Sequence, residues 1–175
     1  MTSVSAGKSA APSRLPSPAD RKQFLAEARA RLGARYLKTG SAAGLLRDHS
    51  RLVDEILREV WEEIAPIQSV ALAAVGGYGR GQLFPCSDID LLLLLPEPAN
   101  PELAAKLETM IGLVWDIGLE VGHSVRTVPQ CLEESAKDIT VQTTLLEARL
   151  VAGSRSLFRE FEAALRAALD PAAFF

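Results

Sequence analysis

Cysteine is scarce in this chain: Cys86 and Cys131 are the only two among 175 residues. They lie too far apart for a CxxC pair and are too few for a zinc centre, so both read as ordinary reduced thiols. Long apolar runs are missing as well. The leucine run Leu91 to Leu95 falls far short of the ~20 residues a membrane span requires. Positive charge is not in excess: the formal net charge is −3, which leaves no basic face for nucleic acid. The first residues, Met-Thr-Ser-Val-Ser-Ala-Gly-Lys, lack the basic region and apolar core of a secretory leader. The expectation is a cytoplasmic protein with no nucleic-acid or membrane partner.

What is there describes a folded domain. The chain is 48% hydrophobic and 23% charged, the balance of a globular protein, and its length suits one domain with a sizeable core. Residues 1–17 are rich in Ser, Ala, Pro and Gly without apolar periodicity, which predicts a flexible tail. Residues 18–66 read as a helical segment. Ser17-Pro18-Ala19-Asp20 is a helix start, with a cap, a proline at the first helical position and an acid three residues on. Phe24, Ala28, Leu32 and Tyr36 form the expected buried stripe, and Gly40 the stop. A second helix from about Ala42 carries Leu45, His49, Leu52, Val53, Ile56, Val60 and Ile64 on one face and ends at Pro66.

From residue 67 to 128 the pattern changes to short apolar runs between turn residues. Val70–Val75 and Ile89–Leu95 read as buried strands, Pro101–Ile117 as a helix, and Leu119–Thr127 as an alternating strand. On that last strand Leu119, Val121, His123 and Val125 share the apolar face, where His123 reads as a core histidine. Residues 129–175 are expected to be helical, from Pro129 to Ala136, Asp138 to Ala152 and Ser154 to Leu169, with Gly153 as a break and a truncation point at the end. A small sheet flanked by helices makes an α/β or α+β domain.

The chemistry concentrates between the first two strands. Gly76 and Gly77 follow a strand directly, and residues without a Cβ let the backbone approach an anion and point N–H groups at it. The spacing matches neither GxxxxGK[ST] nor GxGxxG. Asp88 and Asp90 open the next strand two residues apart, which places both carboxylates on one face about 6–7 Å apart. Two acids on a strand of Ile and Leu are costly to bury without a cation. Magnesium suits one or two carboxylates completed by water and phosphate oxygens. Taken singly, a glycine pair is usually a turn and two acids a solvated strand end; their conjunction points to a phosphate-and-metal site. Arg80 could grip phosphate with both guanidinium nitrogens, but loop arginines serve equally as salt-bridge partners.

Gly76-Gly77 with Ser87-Asp88-Ile89-Asp90 resembles the signature of the DNA polymerase β-like nucleotidyltransferases. In that superfamily the glycines and the serine hold the triphosphate and the aspartates bind magnesium. The strings Ala74–Gly81, Gly118–Thr127, Asp138–Thr140 and Leu145–Arg149 further resemble the bacterial protein-PII uridylyltransferase family, over roughly residues 20–175. The resemblance implies a polymerase β-like mixed sheet and magnesium-dependent transfer of UMP from UTP to a tyrosine of the PII nitrogen-regulatory protein, with release of pyrophosphate. It also implies an HD-type hydrolase domain and ACT domains, for which this chain has no residues; with only His49 and His123 it has no histidine-rich metal site. The chain therefore reads as a fragment. Many superfamily members use a third carboxylate from a later strand. Glu120 is the nearest substitute here, and is equally well read as a surface acid. Nothing in the motif reads the base, so an adenylyltransferase or an inactive nucleotide-binding fragment stays open.

Overall fold

The computed structural model describes residues 17–64 and 67–169. The expected tail through residue 16, Pro66, and the stretch from Asp170 lie outside them. Ser17 belongs to the first helix, α1 (Pro18–Thr39), as its cap: its side chain accepts from the Asp20 N–H while Asp20 reaches back to the Ser17 N–H. Gly40 closes the helix in the left-handed region. The buried stripe differs from the expected one. Arg21, Leu25 and Ala28 are buried, whereas Phe24 and Tyr36 are exposed. A strict four-residue spacing slips by about 40° per step on a helix of 3.6 residues per turn, so Phe24 and Tyr36 leave the face that Ala28 occupies.

Helix α2 (Ala42–Glu63) carries the expected apolar face, buried His49 included, and beside it buried Ser50 and Asp54. Strand β1 (Ala71–Ala74) leads into a single helical turn, α3 (Gly76–Gly79), and then β2 (Ile89–Leu95), α4 (Pro101–Ile117) and β3 (Val121–Thr127) follow. Helices α5 (Val128–Lys137) and α6 (Ile139–Leu146) precede strand β4 (Arg149–Gly153) and helix α7 (Arg155–Ala168). The expectation of one helix from Asp138 to Ala152 is thus corrected: the helix stops at Leu146 and Arg149–Gly153 pairs antiparallel with β1.

The sheet order is β3-β2-β1-β4, with β1 antiparallel to both neighbours and β2 parallel to β3. Alternation along β1 and β2 sorts their side chains into two cores. Leu72, Ala74, Ile89, Leu91, Leu93 and Leu95 pack on one side with residues of α1, α2 and α4. Ala71, Ala73, Leu92 and Leu94 pack on the other with residues of α5, α6 and α7. Both faces of the central strands are covered, which is why their sequences are continuously apolar. Strand β3 lies at the edge, and its exposure follows from that. Val121 is buried, but Val125 is 41% exposed and His123 is exposed, so His123 is not the core histidine expected. Its ring meets Trp115 edge-on at 6.3 Å. Among the described residues no helix is long and apolar enough to cross a membrane.

Candidate functional site

The segment between β1 and β2 folds back on itself. Val75 leaves β1 with its N–H bonded to the Asp90 carbonyl at 3.0 Å, and the chain then turns through Gly76–Gly79, closed by Gly79 N–H to Val75 O and Arg80 N–H to Gly76 O. Gly76 has φ +58°, a region that residues with a Cβ enter only under strain. The first N–H groups of such a turn have no partner within it. A Cβ on Gly76 would sit 3.6 Å from Asp90 Oδ2. The backbone of the glycine turn and the second carboxylate are therefore neighbours, across a gap of 14 residues in sequence.

Asp88 and Asp90 are both exposed, and only Asp90 belongs to β2. Asp90 shares a sheet face with Leu92 and Leu94 at the end the helices leave open. Its Oδ1 would lie 3.1 Å from a Cβ on Gly122, its register partner on β3. Its carboxyl is pushed above the usual carboxylate range, first by partial burial and then by the negative charge of Asp88. The two acids line adjoining clefts that meet at Gly122. One, of about 520 Å³, is bounded by Asp88, Trp115, Gly118 and Glu120. The other, of about 370 Å³, is bounded by Asp90, Ser124, Arg126, Asp138, Thr140 and Thr144. Two carboxylates repelling one another beside open clefts are hard oxygen donors of the kind magnesium takes, and a divalent cation would relieve that repulsion.

Gly77 borders the same turn: a Cβ there would lie 3.6 Å from Gln82 O and 3.7 Å from Arg80 Nη2. Ser87 is exposed, and its hydroxyl donates to the Phe84 carbonyl at 3.1 Å; to hold a phosphate oxygen that single proton must swing away from Phe84. Arg80 forms an ion pair with Glu147. Glu120 accepts the Ile89 N–H through its backbone carbonyl and faces the Asp88 cleft. Among the described residues, no three His, Cys, Asp or Glu side chains gather closely enough to hold one metal ion.

A second set of residues supports the turn from behind, and the sequence alone did not single it out. Tyr78, in the middle of α3 and 2% exposed, donates its hydroxyl to Asp54 of α2 at 2.6 Å. Burial, with the Asp54 charge adding, raises the Tyr78 phenol well above its ordinary value, so it stays a neutral donor. Arg149, at the start of β4, grips both Asp54 oxygens, at 2.8 and 3.0 Å. Lower in the loop, Ser50 Oγ accepts the Leu83 N–H at 3.1 Å and His49 Nδ1 meets the Leu83 carbonyl at 3.2 Å. In the sequence His49 lies on the apolar face of its helix, and Tyr78 and Arg149 lie within strings that carry the family resemblance, but nothing there links them to Ser50 and Asp54.

Comparison with known proteins places the chain in a family. Residues 54–142 match the model of the family described as nucleotidyltransferase domain. The chain is 55% identical, over 88% of its length, to the bifunctional uridylyltransferase/uridylyl-removing enzyme of Nitrosospira multiformis. It is 53% identical over 88% to that of Chromobacterium violaceum and 47% identical over 95% to that of Burkholderia lata. The matched region spans 18%, 18% and 19% of those three relatives. With the family model matching from α2 through β3 into α6, across the glycine turn and both aspartates, this chain belongs to the nucleotidyltransferase domain family.

Proposed function

We propose that the chain carries the nucleotidyl-transferring site of a uridylyltransferase, moving UMP from UTP to a tyrosine of a PII nitrogen-regulatory protein and releasing pyrophosphate. The observation that carries this reading is the approach of the Gly76 backbone to Asp90 at the open end of the sheet, with Asp88 alongside. Such an arrangement offers backbone N–H groups to a phosphate chain and carboxylates to a cation in one place. The identity with relatives named as uridylyltransferases supports the uridylyl group, and the resemblance of residues 74–81 and 118–127 to the PII uridylyltransferases supports the acceptor. The site would operate in the cytoplasm.

Phosphoryl-type transfer of this kind is achieved mainly by positioning and charge neutralisation. Gly76 and Gly77 present N–H groups to the triphosphate, and Ser87 turns its hydroxyl to a phosphate oxygen. Asp88 and Asp90 would hold magnesium, which would supply neutralisation of the charge developing on the phosphates. The acceptor tyrosine oxygen attacks the α-phosphorus in line and gives up its proton to solvent, forming the new P–O bond as the bond to the pyrophosphate oxygen breaks. Arg80, held by Glu147, fixes the end of the turn and reaches phosphate only by leaving that partner.

Labelled UTP or ATP, magnesium and purified PII protein, incubated with the chain and with Asp88→Asn and Asp90→Asn variants, test the reading. Label transferred to PII from UTP alone, and lost in both variants, is the expected result. Transfer from ATP instead would make the chain an adenylyltransferase. Magnesium-dependent UTP binding without transfer would mean a module that needs the remainder of a longer enzyme for turnover, and no binding would remove the site.

A further inference from the structure

The carboxylate of Asp54 is the junction of three elements. It is 7% exposed and receives the Tyr78 hydroxyl from α3, both terminal nitrogens of Arg149 from β4, and Arg58 Nη2 from its own helix at 3.3 Å. Arg149 goes further. Its Nε donates to the Gly79 carbonyl at 3.3 Å, its Nη2 approaches the Tyr78 carbonyl at 3.4 Å, and its guanidinium carbon stands 5.4 Å from the centre of the Tyr78 ring. The chain around Arg149 also presses on the turn, since a Cβ on Gly79 would lie 2.1 Å from the Glu147 carbonyl oxygen. Every one of these contacts ends on α3 or on the group that holds it.

Buried ion pairs add little net stability over well-packed apolar residues of the same volume. Their distinctive property is direction: a planar guanidinium bridging a carboxylate and two carbonyls permits one orientation of the turn. The α3 turn is also the element whose first residue, Gly76, lies against Asp90, a Cβ there falling 3.6 Å from Oδ2. We infer that Asp54, Tyr78 and Arg149 are positioning residues that hold the Gly76–Gly79 turn in the attitude required for the phosphates of a nucleoside triphosphate, setting nucleotide affinity without touching the ligand. This rests on the nucleotidyltransferase reading given above.

Binding of magnesium–UTP to the full 175-residue chain, measured by calorimetry well below the melting temperature, tests it. Tyr78→Phe deletes one O–H and keeps the ring in place; with the bond to Asp54 gone the turn loses its fixed attitude, and the dissociation constant should rise roughly tenfold. Arg149→Lys keeps the charge but cannot bridge Asp54 and the turn carbonyls, and serves as the second variant should Tyr78→Phe fail to fold. The double variant should bind no more weakly than the worse single one, because both act through the same turn. Binding of Mn²⁺ without nucleotide, which needs only the aspartates, should be unchanged. A folded variant with lowered thermal stability but wild-type UTP affinity would make the network merely structural and overturn the inference. Failure of the wild-type chain to bind UTP would be a different failure, removing the site reading and this inference with it.

Discussion

His49 shows how a single residue can tie the loop's integrity to pH. It is 1% exposed, Arg29 Nε donates to its Nε2 at 3.2 Å, and its Nδ1 faces the Leu83 carbonyl at 3.2 Å. An arginine donor on Nε2 leaves the proton on Nδ1, so the neutral ring satisfies both contacts, while a protonated ring would set two donors face to face. Burial is the main cause that lowers its titration, with the Arg29 charge adding and the Leu83 bond opposing. A histidine depressed below its unfolded value of about 6.5 contributes its stability above that pH and loses it as pH falls through the folded value. His49→Asn retains a donor near Nδ1 without a titrating group. Urea unfolding at pH 7.5 and at pH 5 should show the wild type losing more stability over that window than the variant, and equal losses would place the effect on another group. Gly79 gives a sharper steric test. Gly79→Ala meets the backbone oxygen of Glu147 at 2.1 Å, which must displace the contact between α3 and the C-terminal end of α6. A loss of about 1–3 kcal/mol is expected for such overpacking, read from the midpoint of the same unfolding curve.

At the scale of elements, legibility in the sequence followed the range of the interactions. Helix α1 could be read at both ends because its caps, Ser17 with Asp20 and Gly40, are local. Strands β1 and β2 could be read because burial on both faces makes the whole run apolar. The glycine turn and the two aspartates were legible for a similar reason, since their chemistry is carried by residue types lying close together in sequence. Strand β4 was not. Arg149-Leu150-Val151-Ala152-Gly153 is too short to show a period, and only its pairing with β1, nearly 80 residues earlier, makes it a strand. The Asp54–Arg149 pair, 95 positions apart, has no local signature at all. Gly153 was legible as a break, but the physical requirement is tertiary: with φ +85°, a Cβ there would lie 2.2 Å from the Val70 carbonyl and 2.9 Å from the Trp61 ring. Gly153→Ala should therefore cost more than a helix-end glycine would, about 2 kcal/mol or more from strain and overpacking together, with hydrogen exchange accelerating along β4 and β1. Faster exchange limited to α7 would mean that Gly153 serves only as a helix boundary.

For the whole molecule, the site and the fold share one energetic tie. The aspartates stand at one end of a sheet whose two central strands are otherwise covered by helices on both faces, and in the absence of a cation they repel one another. Asp90→Asn removes that repulsion, so without divalent metal the variant should melt no lower than the wild type. Ligand reverses the order. A ligand that binds only the native state stabilises it by about 2.7 kcal/mol at one hundred times its dissociation constant, and in a domain of this size each kcal/mol moves the melting temperature by about 2–4 °C. Saturating magnesium–UTP should then raise the wild-type melting temperature by about 5–11 °C and leave Asp88→Asn and Asp90→Asn almost unmoved. The same concentration of UTP with EDTA should do little for any of them. A shift that survives EDTA, or persists in both variants, would put the nucleotide somewhere other than the glycine turn and its two acids.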